Sequence, residues 1–241
     1  HRKAITAVAR LHLAPTPEAQ AHLLHEGVAA VDAPVVGNTV IDALWWMRKR
    51  LDGTELDHLG LPTNRTLVLL TCHRRESQGR PMRRALDAVA EVAAARADEL
   101  CVVVPVHPNP VVSEAVRDRL SNIPGVALVE PLDYRTMVAL LSAGRMVVTD
   151  SGGLQEEAPA LGLPVLVLRE KTERPEGVAA GGVELVGTDP DAIKRGIERI
   201  LDSPADAAVG SECSSPYGDG LASARVADAL MGRRPTQFRP Q

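Results

Sequence analysis

Between an apolar run, Met146 to Thr149, and a helix-forming run that starts at Leu154, the chain reads Asp150-Ser-Gly-Gly-Leu-Gln-Glu-Glu157. A strand, a tight turn and a helix start in that order make a seat for an anion. Gly152 and Gly153 carry no Cβ, so a ligand can lie directly on backbone N–H groups, and the helix start adds about half a positive charge. A phosphate or diphosphate suits that seat. A purely structural explanation competes with it: Asp150 or Ser151 caps a helix after a glycine turn.

Three other loops carry reactive side chains. Thr71-Cys-His-Arg-Arg-Glu-Ser-Gln-Gly79 places His73, Arg74, Arg75 and Glu76 in succession. His73 can donate to a phosphate oxygen or act as a general acid, and the two arginines offer planar forks to phosphate or carboxylate. The same residues also read as a solvated, self-paired charge run. In Val104-Pro-Val-His-Pro-Asn-Pro110 the prolines fix an extended path around His107, which either aims the imidazole into a cleft or carries it incidentally. Leu168 to Glu176 holds Glu173 and Arg174, which either meet a polar ligand or form surface ion pairs worth about 0–1 kcal/mol.

The elements that must position these loops alternate regularly. Apolar runs at 66–71, 100–106, 126–129, 146–149, 165–168 and 183–186 read as strands, and 82–97, 111–120, 133–143, 154–161 and 189–201 read as helices, the fourth interrupted by Pro159. Strands apolar throughout, alternating with helices, imply a parallel sheet covered on both faces, a doubly wound α/β domain. Such sheets bind ligands at the carboxyl ends of their strands, where these loops lie. Earlier in the chain, Thr16 and Pro17 open a helix that Gly27 stops, flanked by short strands at 11–14 and 34–36. A domain boundary is placed near Gly37, where Gly37-Asn38-Thr39 opens a helix running through Trp45 and Trp46 to about Leu51. A last helix spans 222–231.

Composition narrows the class. A chain of 241 residues, 45% hydrophobic and 24% charged, is that of an ordinary globular protein. No apolar run approaches the roughly 20 residues of a membrane helix, so no membrane partner is expected. A formal charge of −4 with scattered Lys and Arg argues against a nucleic-acid partner. Cys72, Cys101 and Cys213 form no CxxC pair, and their odd number suits a reducing compartment. The amino terminus, His1-Arg-Lys-Ala-Ile, has no initiating Met, which is what a chain beginning inside a longer protein would have.

Together the motifs resemble the non-hydrolysing UDP-N-acetylglucosamine 2-epimerase family. The segments that carry the resemblance are Ala14-Pro-Thr16, Gly37-Asn38, Cys72 to Glu76, Val106 to Pro110, Pro131-Leu-Asp-Tyr134, Asp150 to Glu157, Thr172 to Glu176, Gly187-Thr-Asp189 and Pro216-Tyr-Gly-Asp-Gly220, in the family's order. The resemblance implies a Rossmann-like doubly wound sheet that is the second half of a two-domain, glycosyltransferase-B-like architecture. Residues 1–36 would be a remnant of the first domain, 37–221 the UDP-binding domain, and 222–241 a terminal helix and tail packing back toward the first domain.

The implied activity is interconversion of UDP-GlcNAc and UDP-ManNAc by elimination and re-addition of UDP, with no cofactor and no metal. Ser151, Gly152 and Gly153 would hold the diphosphate, Glu157 the ribose hydroxyls, and the backbone near Leu132 and Met137 the uracil. His73 would serve the leaving phosphate as donor or acid, with Arg174 close by, while His107 resembles a residue of a second, regulatory UDP-GlcNAc site. A cytoplasmic homodimer serving polysaccharide synthesis completes the picture. Two departures stand against it. The carboxylates that the family uses for proton transfer belong to a half the chain lacks, leaving Glu76, Glu156 and Glu176 as substitutes that also read as caps or surface charges. Ser215 stands where the family usually has Asn. The 241 residues are therefore expected to bind UDP weakly and not to epimerise UDP-GlcNAc. A UDP-sugar glycosyltransferase, a non-catalytic nucleotide-sugar sensor and a hydrolysing epimerase are the alternatives.

Overall fold

The structure, a computed structural model, describes residues 2–204 and 215–240. In chain order the elements are α1 (Arg2–Val8), α2 (Pro17–His25), α3 (Thr39–Arg48), β1 (Thr66–Thr71), α4 (Arg80–Ala95), β2 (Leu100–Pro105), α5 (Pro110–Leu120), β3 (Val126–Val129), α6 (Tyr134–Ala143), β4 (Met146–Thr149), α7 (Leu154–Ala160), β5 (Val165–Val167), α8 (Pro175–Ala179), β6 (Val183–Leu185), α9 (Pro190–Asp202) and α10 (Ala222–Leu230), with short 3-10 turns between some of them.

The six strands form one parallel sheet in the order β3-β2-β1-β4-β5-β6. This is the doubly wound, Rossmann-like arrangement that continuous apolar strands require, because both faces must be covered. Alternation along β1 splits the core: Val68 and Leu70 join the apolar faces of α4, α5 and α9 on one side, while Leu69 joins α6 and α7 on the other. On the first side α9 approaches the sheet closely at Gly196, where a Cβ would lie 2.9 Å from Leu166 Cδ1.

Contacts divide the chain into two units, His1–Trp46 with Ser214–Gln241, and Met47–Cys213. The division falls inside α3, beyond the boundary expected near Gly37, and the start of α3 explains this. Asn38 N–H donates to Tyr217 O at 2.7 Å, and the Asp42 carboxylate accepts the N–H groups of Ala222 and Ser223 at 3.0 and 2.7 Å, capping α10. Residues past Gly37 are thereby tied to the carboxy-terminal segment.

In this first unit Thr16 caps α2 as expected, accepting from Ala19 N–H at 3.1 Å. The strands expected at 11–14 and 34–36 reduce to a single parallel bridge between Ala14 and Val35, and α1 appears where no element was expected. Too few consecutive backbone pairs form here to make a ladder. Side chains do part of that work: Gln237 Oε1 accepts Val35 N–H, and buried Arg225 makes a fork to Asp219 at 2.7 and 2.6 Å while reaching Val36 O. The turn left in question by Ser215 is capped by that residue, whose Oγ accepts Tyr217 N–H at 3.3 Å. Cys213 lies outside the described residues.

Candidate functional site

Between β1 and β4 the sheet order reverses, so the loops after these neighbouring strands diverge and leave a crevice at their carboxyl ends. The two strands are pinned together at that end by a buried contact between Thr71 Oγ1 and Thr149 Oγ1 at 2.6 Å. Thr149 Oγ1 also accepts the Ser151 N–H at 2.8 Å, which sets the first bend of the glycine turn. Asp150, fully buried, points across to the other loop: its carboxylate accepts His73 N–H at 2.9 Å and Arg74 N–H at 2.8 Å. The loop after β1 is thus buckled to the turn after β4.

That geometry decides between the two explanations of Asp150. The first turn of α7 has Gly153 at its cap and no side-chain hydrogen bond, so Asp150 does not cap this helix. Because Ser151 N–H is already engaged, the donors left at the turn are those of Gly152 and Gly153, for which no partner occurs among the described residues. Gly153 has ordinary helical torsions, φ −65° and ψ −45°, so its lack of a side chain matters for access and not for backbone strain.

Beside this turn lies a cavity of about 300 Å³ whose lining includes His73, His107, Leu132, Met137, Ser151 and Glu157. These come from the loops after β1, β2, β3 and β4 and from α6 and α7, so the fold gathers residues spread over much of the chain. The rings of His73 and His107 stack, with centroids 5.2 Å apart and planes at 22°. His107 lines this cavity with His73, and its Nδ1 accepts Asn109 N–H at 3.1 Å. His73 Nε2 is 3.9 Å from Asp150 Oδ1. Burial pushes the Cys72 thiol well above its ordinary range, and the Asp150 carboxylate adds to the shift, so the thiol here is inert.

Glu157 is the sole carboxylate among the described residues that line the cavity. Burial raises its pKa, the Tyr134 hydroxyl opposes the rise by donating to Oε1 at 3.0 Å, and neighbouring Glu156 adds to it. Sequence reasoning did not single out Tyr134, whose only signal was its place in Pro131-Leu-Asp-Tyr134.

Arg174 does not line the cavity; it stands on the β5 side of the turn. Its guanidinium pairs with Glu156 and donates to Glu173 O at 3.1 Å, and its backbone N–H donates to Thr172 Oγ1 at 3.0 Å. Gln155, fully buried, ties this loop to the turn by donating to Ser151 O at 3.0 Å while accepting from the Thr172 hydroxyl. Of the suggested substitute bases, Glu156 is thus an ion-pair partner whose pKa burial raises and Arg174 opposes. Glu76 pairs with Arg74 at 3.3 Å, and Glu176 lies in the first turn of α8.

An unforeseen residue, Arg169, anchors the outer wall with a two-pronged pair to Glu173 at 2.9 and 2.8 Å. This hydrogen-bonded pair holds the Glu173 carboxyl at about 2. A depressed folded-state pKa means that the pair's stabilisation is complete above the ordinary value of 4.5 and is lost as pH falls through about 2. Since Glu173 is mostly exposed, water reduces the contribution to about 0–1 kcal/mol. Carboxyl ¹³C NMR titration of Glu173 is expected to give a midpoint near 2, returning toward 4.5 in Arg169→Gln. An unchanged midpoint in the variant would refute the assignment.

Comparison with known proteins bears on what this arrangement serves. A family model described as UDP-N-acetylglucosamine 2-epimerase matches residues 1–231. A probable UDP-N-acetylglucosamine 2-epimerase of Ralstonia nicotianae is 46% identical over 237 residues, which cover 95% of this chain but 63% of that relative. The chain thus spans less than two thirds of the relative's length. Its fold is similar to that of the UDP-GlcNAc 2-epimerase from Neisseria meningitidis bound to UDP-GlcNAc, with a TM-score of 0.89, 36% identity and coverage of 96% of this chain and 64% of that one. It is likewise similar to S. aureus MnaA in a co-structure with UDP, with a TM-score of 0.89, 36% identity and coverage of 99% and 66%.

Proposed function

The chain belongs to the UDP-N-acetylglucosamine 2-epimerase family, and on that premise we propose that it forms the UDP-gripping part of an enzyme that interconverts UDP-GlcNAc and UDP-ManNAc. The observation that carries the proposal is the cavity at the β1/β4 crevice, where His73, Ser151, Glu157, Leu132 and Met137 line one space beside two available glycine N–H groups. Relatives of similar fold hold UDP or UDP-GlcNAc.

In this reading Gly152 and Gly153 N–H, with the Ser151 hydroxyl, receive the diphosphate. Leu132 and Met137 flank the uracil, and Glu157 accepts the ribose hydroxyls. The elimination removes the C2 hydrogen as a proton while the C1–O bond breaks and its electron pair leaves on the UDP oxygen. Re-addition of UDP returns the proton to the opposite face, so no electrons are gained or lost and no redox cofactor is called for. His73, whose loop is held to the glycine turn through Asp150, donates toward the departing phosphate, and Arg174 adds positive charge from the β5 side. His107, whose ring stacks on His73, is proposed to belong to a second, regulatory UDP-GlcNAc site.

Deprotonation at C2 needs a free carboxylate, and Glu157 is already committed to Tyr134 and the ribose. The 241-residue chain is therefore proposed to bind UDP without turning over UDP-GlcNAc. The proposal extends to a homodimer serving polysaccharide synthesis in the cytoplasm, where free thiols such as the buried Cys72 and Cys101 persist.

Calorimetric titration tests the grip. UDP is expected to bind at least about tenfold more tightly than uridine, because charge-assisted hydrogen bonds to the diphosphate are at stake. Gly153→Ala is expected to melt like the unaltered chain, since the new Cβ meets Glu157 Oε2 only at 3.7 Å, yet to lose about tenfold in UDP affinity by occupying the seat. Equal affinity for UDP and uridine would sink the proposal, and UDP-ManNAc formed from UDP-GlcNAc by this chain would refute the absence of turnover.

A further inference from the structure

Glu157 reaches the cavity from α7, and across from it Tyr134 opens α6. The Asp133 carboxylate caps that helix by accepting Thr136 N–H at 2.8 Å, which fixes the Tyr134 backbone. From there the phenol spans to α7 and its hydroxyl donates to Glu157 Oε1 at 3.0 Å. The other oxygen, Oε2, faces the glycine turn, 3.7 Å from where a Cβ on Gly153 would lie. A carboxylate offers about four acceptor positions, so one taken by Tyr134 leaves enough on both oxygens for two vicinal hydroxyls.

We propose that Tyr134 is a positioning residue for nucleotide recognition: its hydroxyl fixes the rotamer and ionised state of Glu157 and thereby sets the preference for a ribose over a deoxyribose nucleotide. The inference rests on the reading of Glu157 as the ribose acceptor. A buried carboxylate with no such donor is free to rotate and is driven toward its protonated form, which has lost acceptor capacity. Burial already raises the pKa of Glu157, with Tyr134 opposing and Glu156 adding. The titratable groups that act on Glu157 are Tyr134 from α6 and Glu156 beside it on α7, and His73 and His107 line the same cavity. Only Tyr134 is hydrogen-bonded to it in the described contacts.

The test compares UDP with 2′-deoxy-UDP by calorimetry on the 241-residue chain, its Tyr134→Phe variant and its Glu157→Ala variant, from pH 5 to 8. The unaltered chain is expected to favour UDP by about tenfold or more, the worth of a hydrogen bond to a charged group. In Tyr134→Phe the preference is expected to shrink to about twofold, and UDP affinity to fall away at a higher pH as pH is lowered, because the carboxyl takes up its proton sooner. A role confined to packing would weaken both ligands alike and leave the pH profile in place, which would overturn the proposal. Phe fits a ring that is partly exposed; if it does not fold, Tyr134→Leu removes the same hydroxyl. Should Glu157→Ala abolish the preference while Tyr134→Phe keeps it, the Tyr134 role fails and the ribose reading stands. Should Glu157→Ala keep the preference, or the unaltered chain bind no UDP, the underlying reading fails and takes the proposal with it.

Discussion

Asp150→Ala is expected to abolish measurable UDP binding and to cost about 2–5 kcal/mol of stability, the larger part from two backbone N–H groups left without partners. The side chain is fully buried, and His73 and Arg74 N–H both end on its carboxylate. Alanine removes the acceptor, leaves a void and releases the loop that carries His73. Both the imidazole and the glycine turn then lose their fixed relation, so a stability change and a binding change should appear together. Asp150→Asn is expected to fall between, since one amide oxygen still accepts while the NH₂ opposes a backbone donor. Urea unfolding with UDP titration reads both effects, and an alanine variant with unaltered midpoint and affinity would show that the buckle is dispensable.

The second large effect is far from the cavity. Gly125 has φ +79°, and a Cβ there would lie 2.6 Å from Ala93 O, 3.1 Å from Ala97 Cα and 3.2 Å from Leu100 O. Gly125→Ala therefore combines left-handed strain, about 1–2 kcal/mol, with a collision against backbone that no rotamer relieves. A total loss of about 3 kcal/mol or more is expected. Gly60 provides the control: it is left-handed, with φ 60° and ψ 29°, and nothing lies within 4 Å of the Cβ position, so Gly60→Ala should cost the strain alone. Equal unfolding midpoints for the two variants would refute the collision. Gly125 turns the chain into β3 and accepts Val102 N–H at 2.8 Å, away from the strand ends that carry the cavity, so UDP affinity of folded Gly125→Ala should be unchanged.

The sheet was legible because buried parallel strands are written as continuous apolar runs, and each of the six lies within its run. The start of α2 was legible because Thr16 and Pro17 mark it, and the Thr16 side chain accepts Ala19 N–H. Arg2–Val8 and Pro175–Ala179, of seven and five residues, are too short for a long periodic face, the second also has no side-chain cap hydrogen bond, and they were not foreseen. Short extended runs at 11–14 and 34–36 could not be told from strands, because pairing depends on backbone partners that local sequence does not name.

For the site, the residue types were visible and their connections were not. Asp150 reads equally well as a helix cap, and only the chain's return after 77 positions puts His73 N–H on its carboxylate. The same holds for Tyr134 and Glu157, for the stacked imidazoles, and for Gln155 bridging Ser151 and Thr172. Each of these depends on loops that meet only after the sheet has assembled.

The hydroxyl pair between Thr71 and Thr149, with Ser151 N–H on the same oxygen, has a consequence for how such a site can be altered. It welds the two central strands to the turn, so that floor behaves as a single casting. The wall after β2 meets it through the His107 ring stacked on His73, and the loop after β5 is held to it by Leu168 N–H donating to Thr149 O at 2.9 Å and by the Thr172 hydroxyl on Gln155. A designer seeking a different base or sugar would recut the walls and leave the floor untouched, since changing one threonine disturbs every group that the other holds.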